Sequence, residues 1–115
     1  MENRNIMATK RELTNFNKAI SNLIFELGGN EKVASKHELR YLINTKAGAL
    51  DIYLSKPEYH SAIFSIFCKF DNVKSATPIL RGDERLNKHN GKWNFHTFDA
   101  EEGIQLFTNS LKSII

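Results

Sequence analysis

The sequence predicts an α+β domain in two layers, an antiparallel sheet of about four strands with an N-terminal and a C-terminal helix packed on one face. Apolar residues recur at helical spacing near both ends of the chain, and alternate with polar ones in several stretches between. Those stretches follow one another without a long intervening helix, the pattern of antiparallel neighbours rather than of parallel strands joined by crossovers. At 115 residues the chain is the size of one domain able to bury a core without disulfides or metals.

Residues 1–8 are polar and read as a frayed start, leaving 9–115 as the domain. Thr9-Lys10-Arg11-Glu12 fits a capping box, with Thr9 as N-cap and Glu12 three positions on. Leu13, Phe16, Ile20, Leu23, Ile24 and Leu27 then form one stripe, and Gly28-Gly29 ends the helix, predicted over 9–27. From Lys36 to Asn44, Leu39, Tyr41 and Ile43 alternate with polar residues. After Thr45-Lys46-Ala47-Gly48, a turn with a glycine free to take positive φ, Leu50, Ile52 and Leu54 alternate again. Together these predict a hairpin. The third strand is SAIFSIFCKF, 61–70. Ala62, Phe64, Ile66, Cys68 and Phe70 share its inner face, while Ser61, Ile63, Ser65, Phe67 and Lys69 share a mixed, partly exposed one. Asp71-Asn72 offers a cap for a short helix to about Leu80, with Pro78 awkward inside it. Residues 81–92, RGDERLNKHNGK, read as a charged loop, and 92–98 as a fourth strand. Asp99 and Glu102 fit a second capping box, and Ile104, Phe107, Leu111 and Ile114 line the last helix. The order is α-β-β-β-(α)-β-α.

The net charge is +3, which permits a polyanionic partner without demanding one. The polar start MENRNIMATKRE lacks the basic-then-apolar build of a secretory signal, and no window has the length of a membrane span. With a single cysteine no internal disulfide forms, and the expectation is a protein of the cytosol that makes no membrane contact.

Most enzyme chemistries lack their residues here. The sequence has no Gly-x-Ser-x-Gly elbow, no phosphate-binding Gly-x-x-x-x-Gly-Lys loop and no dinucleotide fingerprint. Cys68, inside an apolar strand, reads as a buried, inert thiol. His37, His60, His89 and His96 show no metal-ligand spacing. His89 and His96 could meet a carboxylate such as Asp83, against the plainer reading of two surface or half-buried histidines. Asp51, Glu58, Asp83 and Glu84 are the acid/base candidates, and none belongs to a nuclease-like spacing. Arg81, Arg85, Lys88, His89 and Lys92 form a basic cluster like those of some small RNase sites, against the plainer reading of a solvated loop. No catalytic residue, metal ligand or cofactor is assigned.

The densest stretch is GKWNFH, 91–96. As a strand it places Trp93, Phe95 and Thr97 on one face, with Trp93 and Phe95 read as core, and Lys92, Asn94, His96 and Phe98 on the other. Set beside Arg40, Tyr53, Phe67 and Lys69, that second face becomes a surface of aromatics and cations. Such a mixture anchors protein interfaces, and also stacks single-stranded nucleic acid.

LNKHNGKWNFHTFDAEEGIQLF, residues 86–107, resembles the C-terminal part of small proteins encoded by phages and other mobile elements. The shared signature is Asn-x-x-x-Gly-Lys-Trp-Asn-Phe-His, after an aromatic strand similar to IFSIFCKFDN and before an acidic helix start. The resemblance runs from Ser61 onward and does not reach the N-terminal half. It implies a mobile-element accessory protein and carries over no catalytic assignment.

The leading reading is therefore a non-enzymatic accessory protein of a phage or mobile element that binds a host protein in the host cytosol, with a component of an antiviral defence system as a candidate target. The alternative is a small nucleic-acid-binding domain using the same sheet face and basic loop. Candidate binding residues are Arg40, Tyr53, Phe67, Lys69, Arg81, Arg85, Lys88, His89, Lys92 and His96. A small hydrolase centred on His89 and His96 ranks third. Oligomeric state stays open.

Overall fold

A computed structural model describes residues 8–46, 48–59, 64–70, 87–89, 92–97 and 99–115, with the backbone alone at Tyr59, 87–89 and 92–96. Helix α1 spans Lys10–Glu26. It begins where the sequence predicts, because Thr9 and Glu12 satisfy each other's backbone N–H: Thr9 N donates to Glu12 Oε1 at 2.8 Å and Glu12 N to Thr9 Oγ1 at 3.1 Å. It ends in a Schellman turn, with Gly28 N donating to Phe25 O and Gly29 N to Ile24 O. Gly28 takes the left-handed φ of +95° that this turn needs. Gly29 is required for a different reason: a Cβ there would strike the Ile24 side chain and lie 3.0 and 3.1 Å from the carbonyls of Ile24 and Leu42.

Six strands follow: β1 (Asn30–Lys32), β2 (Glu38–Thr45), β3 (Gly48–Ser55), β4 (Phe64–Phe70), β5 (Asn87–His89) and β6 (Lys92–Thr97), with a 3-10 turn at Pro57–Tyr59. Every neighbouring pair is antiparallel, in the order β1-β2-β3-β4-β6-β5. The α+β class and the antiparallel sheet agree with the sequence. The sheet is wider than the four strands expected, because two three-residue polar strands close its edges. One of them, β5, lies inside the stretch 81–92 read as a loop. Strand β4 is described from Phe64, so residues 61–63 of the predicted third strand lie outside the described residues. So do residues 1–7, the expected short helix at 71–80, and Phe98.

Helix α2, Ala100–Ile114, completes the layer. Asp99 caps it, its Oδ1 accepting from Glu102 N at 3.2 Å, while the Glu102 carboxylate accepts from the Thr97 hydroxyl at 3.1 Å. At its other end Ile114 O accepts from Lys46 N in the β2–β3 turn at 2.7 Å.

Both helices bury their stripes on one face of the sheet. Leu13, Phe16, Ile20, Ile24, Phe107 and Leu111 pack with Tyr41, Ile43, Leu50, Ile52, Leu54, Phe64, Ile66, Cys68 and Phe70. The strand residues of this set alternate, as the period-2 pattern required, and pair across strands: Tyr41 with Ile52, Ile52 with Cys68, Leu50 with Phe70. Phe16 and Phe64 stack at 5.0 Å between centroids. Asn17 interrupts the α1 stripe and is buried. Its amide donates to Ser55 O at 2.9 Å, tying the helix to the end of β3. Burial pushes the Cys68 thiol well above its ordinary range, because no charged form is tolerated there. Among the described residues no helix is long and apolar enough to cross a membrane.

Candidate functional site on the second face of the sheet

The opposite face of the sheet carries the other residues of each strand, a mixture of polar, charged and aromatic ones. Its central line crosses all six strands: Lys32 on β1 opposes Arg40 on β2, Arg40 opposes Tyr53, Tyr53 opposes Phe67, Phe67 opposes Asn94, and Asn94 opposes Asn87. The next line runs Asn30, Leu42, Asp51, Lys69, Lys92, His89. Facing residues of an antiparallel sheet lie about 4.5–5.5 Å apart, so each line is a set of neighbours. The strands hold these residues in place through the core beneath them. Ile52 and Cys68, sealed under the helices, fix the rise on which Tyr53 and Phe67 sit.

Two contacts organise this surface. The Arg40 guanidinium lies over the Tyr53 ring, 5.1 Å from its centroid, and donates through Nη2 to the Tyr53 hydroxyl at 3.3 Å. Arg40 Nε is buried and has no acceptor. Beside this pair, Lys32 Nζ meets Asp51 Oδ1 at 2.8 Å. Asp51 is thus a buried acid paired with a lysine from the edge strand. Ser65 is also buried here rather than partly exposed, while Phe67 and Lys69 are half-buried as expected. No group of three or more His, Cys, Asp or Glu gathers among the described residues.

The structure brings together four of the predicted residues, Arg40, Tyr53, Phe67 and Lys69, on one face. For Lys92, His89 and His96 the backbone register gives their places: Lys92 opposite Lys69, His89 opposite Lys92, His96 opposite Ser65. Lys88 opposes Trp93, and Trp93 opposes Cys68, so within β5 positions 88 and 89 alternate and do not form one basic cluster with a common face. His89 and His96 are likewise separated by the length from Lys92 to His96, roughly 13 Å along a strand. Arg81, Asp83, Glu84 and Arg85 lie outside the described residues. Trp93, Phe95 and Thr97 align with Cys68, Ile66 and Phe64, the buried row. Glu58 is exposed beyond the end of β3.

Sequence reasoning missed Lys32. Its strand has three polar residues and no alternation to betray it, and its partner Asp51 lies 19 positions away. Asn17 had a signal that could have been used, a lone polar residue inside an otherwise apolar helical stripe. Compared with protein families, curated proteins and solved structures, the chain gives no significant match.

Proposed function

We propose that this chain is a non-enzymatic binding protein that docks another protein on the second face of its sheet. The observation that carries this reading is the line Lys32–Arg40–Tyr53–Phe67, in which a guanidinium is held over a tyrosine next to a phenylalanine. Tyrosine and arginine, presented on a rigid sheet, lose little rotamer freedom when a partner covers them and supply most of the anchors in protein interfaces. The mixed charge, with Asp51 paired to Lys32 in the middle, suits a patterned protein surface. Taken with the GKWNFH resemblance, this supports an accessory protein of a phage or mobile element that acts on a host protein in the cytosol, with antiviral defence components as the first class of target to test.

A tagged pull-down from host lysate, with and without nuclease, tests it. A stoichiometric protein partner that survives nuclease is expected, and its recovery should fall with Tyr53→Ala and Phe67→Ala. The second reading, single-stranded nucleic acid, is favoured by the line Lys69–Lys92–His89 across β4, β6 and β5. It takes over if nucleic acid is recovered and all protein partners vanish after nuclease.

A further inference from the structure

We infer that the second face receives an acidic protein segment, with one carboxylate of that segment held by Arg40 and another by Lys69; this rests on the docking reading above and names the chemistry of the partner. On the described part of this face cations outnumber carboxylates. Among its described residues, Lys32, Arg40 and Lys69 are cations, and Asp51 and Glu38 are carboxylates. Asp51 is taken by Lys32 at 2.8 Å. Glu38, two residues from Arg40 on the same strand and face, makes no ion pair with it. Lys69 faces Asp51 across the strand pair, yet Asp51 is already engaged from the other side.

Arg40 rests in a compromise. Its guanidinium has a tyrosine ring beneath it and one long bond to a neutral hydroxyl at 3.3 Å, while Nε is shut away with no acceptor. A buried donor without a partner is costly, and a charged donor more so. A carboxylate offers two acceptor oxygens in one plane, the match for the guanidinium fork. Turning the guanidinium off the ring toward such a group would give Nε its acceptor and uncover Tyr53 for apolar contact.

The pattern also selects against a polyanion. A nucleic-acid strand carries charge at every step and would have to run past Asp51 and Glu38. A protein segment can place carboxylates against Arg40 and Lys69 and leave the positions between them neutral. Those two residues stand two strands and one line apart, roughly 12 Å between Cα atoms from standard sheet spacing, close to the span of four residues of an extended chain. An extended partner segment would span that distance with acids four positions apart.

The test uses the full chain with two labelled probes, an oligoglutamate peptide and a single-stranded oligonucleotide of equal charge, read by fluorescence anisotropy. The expected result is peptide binding that Arg40→Lys weakens about tenfold, since it keeps the charge and removes the fork. Lys69→Gln should weaken it too. Lys18→Gln, exposed on α1 in the other layer, should leave it unchanged. Circular dichroism should show the same fold throughout. Arg40→Lys binding like the parent, or Lys18→Gln weakening binding equally, overturns the assignment by reducing it to net charge. Arg40-dependent oligonucleotide binding without peptide binding also overturns it. The two levels separate in the lysate: a nuclease-resistant protein partner retained by Arg40→Lys sinks the carboxylate assignment alone, whereas loss of every protein partner after nuclease sinks the docking reading.

Discussion

On the helix side of the sheet, Leu50, Ile52, Ile66 and Phe70 are shut off from solvent; one residue along the same strands stand Asp51, Tyr53, Phe67 and Lys69. The two sets are made by the same backbone and differ by a single step of the pleat. The helix side is apolar almost throughout and owes its stability to burial, at about 25 cal/mol per Å² of apolar surface removed from water. Where a polar group enters that layer, as Asn17 does, it comes with an acceptor. The second face buries charge too: Asp51 has a full partner, while Arg40 keeps a donor in reserve. Substitutions on one side should therefore act on folding and on the other side on recognition.

The largest effect should come from the middle of the core. Phe107 is fully buried between α2 and the sheet. Phe107→Ala should cost about 3–5 kcal/mol in denaturant unfolding, by lost transfer energy and the cavity left behind. A loss under about 1 kcal/mol would break the division between the faces. Gly29→Ala comes next, at about 1–3 kcal/mol, because backbone carbonyls on both sides of the added methyl leave it no room. Gly28→Ala, with open space around it, should cost only its positive φ, about 1 kcal/mol.

Cys68 sharpens the comparison through pH. Its folded pKa is raised by burial, so between the ordinary thiol range and the raised value the native state holds a proton that the unfolded chain has lost. Stability is then intact below about pH 8.5 and falls as pH rises above it, by at most about 1.4 kcal/mol per unit. Alkylation by iodoacetamide at pH 8 should follow global unfolding, and rapid labelling of the folded protein would contradict the burial. Asn17→Ala should cost about 1 kcal/mol or somewhat more, by leaving the Ser55 carbonyl without its donor. The smallest change belongs to the second face: Asp51→Asn, facing the partly exposed Lys32, should lower stability by less than about 1 kcal/mol. If it instead unfolds the protein, the second face is structural rather than a recognition surface.

How much of this was legible follows from where the signals are stored. Helix α1 is announced locally by Thr9, Glu12 and Gly28, each within a turn of its partner, and the structure departs from the expected 9–27 by one residue at each end. The β2–β3 hairpin is legible for the same reason. The face shared by Arg40, Tyr53, Phe67 and Lys69 followed from strand parity once the strands were placed. Strands β1 and β5, NEK and NKH, have no pattern of their own. They exist because a neighbour offers an unpaired backbone edge, and a one-dimensional pattern does not record that. The Lys32–Asp51 pair was invisible because it depends on β1, and the Arg40–Tyr53 stack because it depends on the register between two strands.

The bond from Lys46 N to Ile114 O joins a turn made early in synthesis to a helix made late. When the ribosome has delivered all six strands, residues 100–114 are still to come, and with them Phe107 and Leu111, which cover the apolar face of the sheet. Until then the part of that face that α2 covers is bare. A nascent chain stalled before Ala100 should be sticky and chaperone-dependent, and release from chaperones should coincide with emergence of α2 from the exit tunnel.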